Sequence, residues 1–134
     1  MTPDADNHVK LPSTVTRLGD SDTIEADEYC QVSPDCAFFV YCRSLLSIEL
    51  HSNITYIADR TFQGSYLQNL TFPEMDLGLS HLRQTFSRTP LRFVDMSKVT
   101  IRDIGERAFY SCDFLEQIIL PSELEEIGAF SFFF

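Results

Sequence analysis

Apolar residues along this chain follow two rhythms, a short alternation and a wider stepping, and the pair recurs. Four stretches share the form Leu-x-x-apolar-x-apolar: LLSIEL (45–50), LQNLTF (67–72), LRFVDM (91–96) and LEQIIL (115–120). Their starts lie 22, 24 and 24 residues apart. The closing alternation predicts a short strand with one face buried. A second phrase follows each strand. Leu50 is followed by Ile54, Ile57 and Phe62, and Leu120 by Leu124, Ile127 and Phe132, with the same offsets of four, seven and twelve. Ile104 and Phe109 keep this phrase with one residue added, and Leu79, Leu82 and Phe86 approximate it. Leu11, Val15 and Leu18 open an earlier copy, which an acidic insertion near residues 21–35 interrupts.

A lone strand of this kind cannot bury its apolar side, whereas stacked copies build a shared interior. The expected fold is therefore a mostly β leucine-rich-repeat solenoid of α/β type. It has about five coils, with parallel strands about 4.8 Å apart. Residues 1–10 are expected to be a polar tail and residues 11–134 the repeat domain, its last coil incomplete. A turn such as ERAFYSC, which must also reverse the chain, leaves room for only about one helical turn. The outer wall should thus be irregular or one-turn helical, with the recurring Phe filling the interior. Gly105 and Gly128, each after an Ile, suit a tight bend with positive φ.

The residues between core positions face outward in the same alternation. Stacking places them in two columns, one of Ser47, Asn69, Phe93 and Gln117 and the other of Glu49, Thr71, Asp95 and Ile119. They form the expected partner-binding face, with Phe93 beside Arg92 and Asp95 as an aromatic-plus-charge centre.

These residues also carry a family resemblance. Ala108-Phe109, Cys112, Leu115, Ile118, Leu120 and Pro121, after Ile104-Gly105, resemble the leucine-rich repeats of BspA-like surface proteins. The likeness runs from about Leu11 to the C-terminus, apart from the insertion. It implies a right-handed, noncatalytic binding solenoid at a cell surface, a surface antigen or adhesin whose partner is a protein or a host-matrix component. An intracellular scaffold, or a piece of a longer repeat protein without independent activity, is the alternative.

Charge and chemistry narrow the rest. Ten Lys and Arg against 20 Asp and Glu leave a net charge of −10, which disfavours nucleic-acid binding. Arg83, Arg88, Arg92, Lys98, Arg102 and Arg107 make the middle locally basic, either as a solvated face or as a patch for an acidic partner. No apolar run reaches the roughly 20 residues of a membrane span. The first ten residues carry neither the basic nor the apolar region of a leader, so no export signal is expected in the chain as written. His8, His51 and His81 fall at different repeat phases, and no ligand spacing, phosphate loop or nucleophile motif appears. No metal, cofactor or catalytic residue is expected.

Cys42 and Cys112 each stand three residues before a strand Leu and read as small buried wall residues. Three strand steps, about 14 Å, separate them, beyond the roughly 7 Å that a disulfide spans. Cys30–Cys36 and Cys36–Cys42 remain open as pairings. Asn53 and Asn69 head N-glycosylation triplets. Finally, GAFSFFF stops within a repeat, so Phe130, Phe132, Phe133 and Phe134 have little to pack on. That ending is compatible with a longer array, end-to-end self-association or a Phe cluster folded under as a cap; the break at an arbitrary repeat phase favours the first.

Overall fold

The computed structural model describes residues 8–19, 31–32 and 36–134, with 31–32 and 36–38 described as backbone. Most of the acidic insertion and the first seven residues lie outside the described residues. The chain forms a mostly-strand parallel solenoid. Its main sheet orders His8–Lys10, Ser47–Glu49, Asn69–Thr71, Phe93–Asp95 and Gln117–Ile119, all parallel. The sheet thus begins before Leu11, where sequence reasoning placed the end of a polar tail. His8–Lys10 has only one strongly apolar residue, too short a pattern to read without the neighbour it pairs with.

The register stacks Val9, Ile48, Leu70, Val94 and Ile118 in one file. The first four are buried and Ile118 is partly so. This file is the common spine that the alternation required. Leu45, Leu67 and Leu91, which open the strand phrases, are fully buried beneath it.

The opposite wall is a second ladder. Phe39, Phe62, Phe86, Phe109 and Phe132 stack with ring centroids 5.2–5.6 Å apart and planes within 16°. One ring per coil fills the space between the walls, and each stacked pair adds about 0.5–1.5 kcal/mol beyond burial. No helix forms among the described residues, so the one-turn helices expected of this wall are replaced by consecutive turns. Left-handed residues punctuate those turns: Arg60, Gln84, Arg107 and Phe130 at one position, Tyr41, Gly64, Arg88 and Ser111 at another. At all of these positions except Phe130 the reversal swings the backbone so that its N–H meets the next coil. Arg107, Phe109 and Ser111 donate to the carbonyls of Ala129, Ser131 and Phe133 at 2.8–3.0 Å. A helix would instead turn those amides onto its own carbonyls.

Gly105 and Gly128 do not adopt positive φ, against expectation; among the described glycines only Gly19 and Gly64 do. Their role is close approach. A Cβ on Gly105 would meet the His81 carbonyl oxygen, and one on Gly128 the Glu106 amide nitrogen. The coils touch backbone to backbone at these points, with the Gly105 and Gly128 amides donating to His81 and Ile104 at 2.7 Å.

The loosest repeat is also corrected. Leu79, expected inside, is 81 % exposed, and Leu77 is buried in its place. Met75 and Asp76 pair with Val99 and Thr100, which sets Leu77 beside Ile101. Buried Ser80 then takes the position of an Ile, and its hydroxyl accepts the Ile57 amide at 2.9 Å.

Gln31–Val32 and Cys36–Phe38 belong to a sheet ordered Gln31–Val32, Cys36–Phe38, Arg17–Leu18, Tyr56–Ile57. The Arg17–Leu18 strand is therefore paired on both edges.

Candidate functional site

The face that the alternation leaves outward is the exposed side of the five-stranded sheet. Register places His8, Ser47, Asn69, Phe93 and Gln117 in one column, and Lys10, Glu49, Thr71, Asp95 and Ile119 in the other. All eight residues expected on this face stand on it, in the expected order. His8 and Lys10 join them, missed because their strand was read as tail. A repeat search keyed on the leading Leu passes over this copy, because Asp6 stands three residues before Val9 where Leu45 stands three before Ile48.

The two ends of the face differ chemically. At the first rungs, His8 Nδ1 and the Ser47 hydroxyl share a 2.7 Å hydrogen bond, and His8 Nε2 lies 3.9 Å from a Glu49 carboxylate oxygen. A shallow groove of about 390 Å³ runs there, lined by His8, Ser47, Glu49, Asn69, Thr71 and Lys98 among others. At the later rungs two apolar side chains join the face: Phe93, 43 % exposed, beside Gln117, and exposed Ile119 beside Asp95. The Ser97 amide donates to Asp95 at 2.9 Å. Hydrogen bonds from Ser97 hold the Asp95 carboxyl below the usual carboxylate range, with smaller help from the Lys98 charge. Asp95 therefore stays anionic beside the exposed ring. Arg92 pairs with Glu116 at 2.6 Å, but both are largely solvated, so the contact contributes little to stability.

Three of the six basic side chains of the middle repeats are paired with acids. Arg83 pairs with Asp59 at 3.7 Å, Arg92 with Glu116, and Arg107 with Glu106 at 2.7 Å. Two of these pairs, Asp59 with Arg83 and Arg92 with Glu116, join successive coils, and the Arg60 guanidinium donates to the neutral Gln84 side-chain carbonyl of the next coil at 2.8 Å.

Both glycosylation candidates are exposed. Asn53 sits in a turn and donates through its side-chain amide to the Ser13 carbonyl at 3.2 Å. Asn69 stands on the sheet face itself, where a glycan would cover the central rungs.

Cys42 and Cys112 are buried at equivalent wall positions, in a column with buried Ser65 and Thr89. Cys42 is disulfide-bonded while Cys112 is a free thiol, so the two do not pair with each other. The Cys112 thiol donates to the Phe86 carbonyl at 3.0 Å, with Thr89 Oγ1 at 3.5 Å. Burial pushes the Cys112 thiol above its ordinary pKa. Only the thiolate reacts with alkylating reagents. In folded protein at pH 8, Cys112 should therefore resist iodoacetamide, and it should label fully once denaturant is added. Peptide mass mapping reads both states; rapid labelling of the folded protein would contradict the burial.

One family model matches the chain, that for the BspA type leucine rich repeat region, in six copies across residues 34–134. Among curated proteins and among solved structures, none matches the chain.

Proposed function

This chain belongs to the BspA-type leucine-rich repeat family, and on that premise we propose that it binds a protein partner through its exposed parallel sheet, without turnover. The observation that carries this reading is the aligned face itself. Five rungs present two straight columns whose side chains are spaced by the sheet and held by backbone pairing, so little ordering remains to be paid on binding. Phe93 supplies a rigid apolar anchor between Asn69 and Gln117, with anionic Asp95 two residues along its strand. Aromatic anchors ringed by polar groups are the usual energetic centres of protein interfaces.

The partner is an extracellular protein or matrix component, and the chain acts as a surface antigen or adhesin. Two things support that location over an intracellular scaffold. One is the surface association of BspA-like repeats; the other is the disulfide at Cys42, since such bonds persist in oxidising compartments and are rare in reducing ones. Surface proteolysis of intact source cells, with mass mapping of Cys42, tests it. A cytosolic protein with Cys42 reduced would sink the surface reading and leave the sheet face as an intracellular binding site.

Phe93→Ala tests the face. Biolayer interferometry against immobilised matrix proteins should show saturable binding by the native protein, weakened about 30-fold by the substitution, the tenfold-and-more loss expected of an anchor. Thermal stability should fall by less than about 1 kcal/mol, because the ring is half solvated. Equal binding by both proteins would remove the face from the interface. A large stability loss would mean that Phe93 is a core residue.

A further inference from the structure

The outer wall shows how this chain holds an arginine. The Arg107 guanidinium lies 5.3 Å from the Phe130 ring centroid, and its Nη1 donates to a Glu106 carboxylate oxygen at 2.7 Å. The aromatic face takes the flat cation while the carboxylate takes its N–H groups. Arg17 over Tyr56, at 5.4 Å, is a second stacked case.

The sheet face presents the same two groups without the cation. Phe93 and Asp95 stand two residues apart on one strand, so their side chains leave the same side about 6.6 Å apart. A guanidinium stacked within about 6 Å of the Phe93 centroid has the Asp95 carboxylate in reach. That carboxylate is held in place, since Asp95 Oδ1 accepts the Ser97 amide at 2.9 Å. Among the described residues no Lys, Arg or His forms an ion pair with it. Arg92, the neighbour of Phe93 in sequence, is taken by Glu116 at 2.6 Å. Lys98 contributes only the smallest of the influences that keep Asp95 ionised.

The surroundings discriminate between side chains that a partner could bring. Ile119 lies across from Asp95 on one rung and Thr71 on the other, while Asn69 and Gln117 flank Phe93 with amide carbonyls. An apolar side chain would cover Phe93 and Ile119 but leave half-buried Asp95 with less water and no counter-charge. A lysine would reach the carboxylate as a compact point charge and leave the ring uncovered. An arginine lays its stem on the apolar groups and its planar head on the ring, with N–H groups to spare for the carboxylate. The chain's net charge of −10 also favours the approach of a cationic surface.

We propose that Phe93 and Asp95 together receive an arginine side chain of the protein partner, its guanidinium flat on the ring and its N–H groups on the carboxylate. This rests on the protein-binding reading above and names the chemistry that the face selects.

Amide chemical shifts of the isotope-labelled full chain, titrated with acetyl-Gly-Arg-Gly-amide, test it. Salt of about 0.15 M screens loose attraction to the net charge. Saturable shifts should centre on Asn69, Thr71, Phe93, Asp95 and Gln117. The citrulline peptide, of the same shape without the charge, should bind about tenfold more weakly. Asp95→Asn keeps the oxygen that accepts the Ser97 amide and should weaken the arginine peptide about tenfold, and Phe93→Ala about fivefold. Glu106→Gln, on the outer wall, should leave the affinity unchanged. Equal binding of the arginine and citrulline peptides, or shifts with no focus at these residues, would overturn the site. A leucine peptide binding as well as the arginine one would make the occupant apolar, and shifts that grow with protein concentration alone would make it a second copy; either result overturns the proposal. Matrix-protein binding that falls with Phe93→Ala but ignores Asp95→Asn would sink the arginine and leave the protein-binding face standing.

Discussion

Phe86→Ala should lower the free energy of unfolding by about 3–5 kcal/mol, the cost of emptying an aromatic site in a core that cannot collapse around it. The ring is fully buried. It is stacked between Phe62 and Phe109, with Phe72 edge-on at 6.2 Å. Its loss removes two stacked pairs and interrupts the ladder at its middle. Domains of this size are stable by only about 5–15 kcal/mol, so the variant should unfold at much lower urea concentration. Phe132→Ala, at the same repeat position but half-buried in the last coil, should cost far less. Urea denaturation of the two variants against the native protein is the measurement. Similar losses for both would mean that the ladder is not the shared interior described here.

Gly105→Ala should destabilise by about 3 kcal/mol, the upper part of the range for overpacking a closed site. The added methyl would meet the His81 carbonyl oxygen and the Arg83 amide nitrogen, both backbone atoms of the preceding coil. Backbone cannot give way as a flexible side chain does. The two coils would have to part, lengthening the Gly105-to-His81 hydrogen bond and tilting the coil that carries Phe109. Replacing Gly78, where the nearest contact is a solvent-exposed Asp76 carboxylate, is the control and should change stability little. A melting temperature for Gly105→Ala within a degree or so of the native value would show that the coils have slack at this point.

The two outward columns were legible because period-two alternation is a local property. In LRFVDM the inward Val94 fixes Phe93 and Asp95 as outward, whatever lies elsewhere in the chain. The ring ladder was legible for a related reason: a Phe at a constant offset from its strand meets the same surroundings in every coil. The weakest repeat was not legible. Leu79 and Leu77 are both apolar and two residues apart, and only the pairing of Met75 with Val99 decides which is inside. Glycine's role was misread because sequence shows that a side chain is missing, not whether the backbone bends or a neighbour approaches.

The residues themselves determined that identical phrases must stack, since no single coil can hide its apolar side from water, and so determined which side chains share a face. The tertiary structure decided what depends on contact between distant segments. It set the wall as turns, because amides there serve the next coil, and it drew His8–Lys10 into the sheet. Such outcomes rest on pairings between residues tens of positions apart, and no local pattern encodes them.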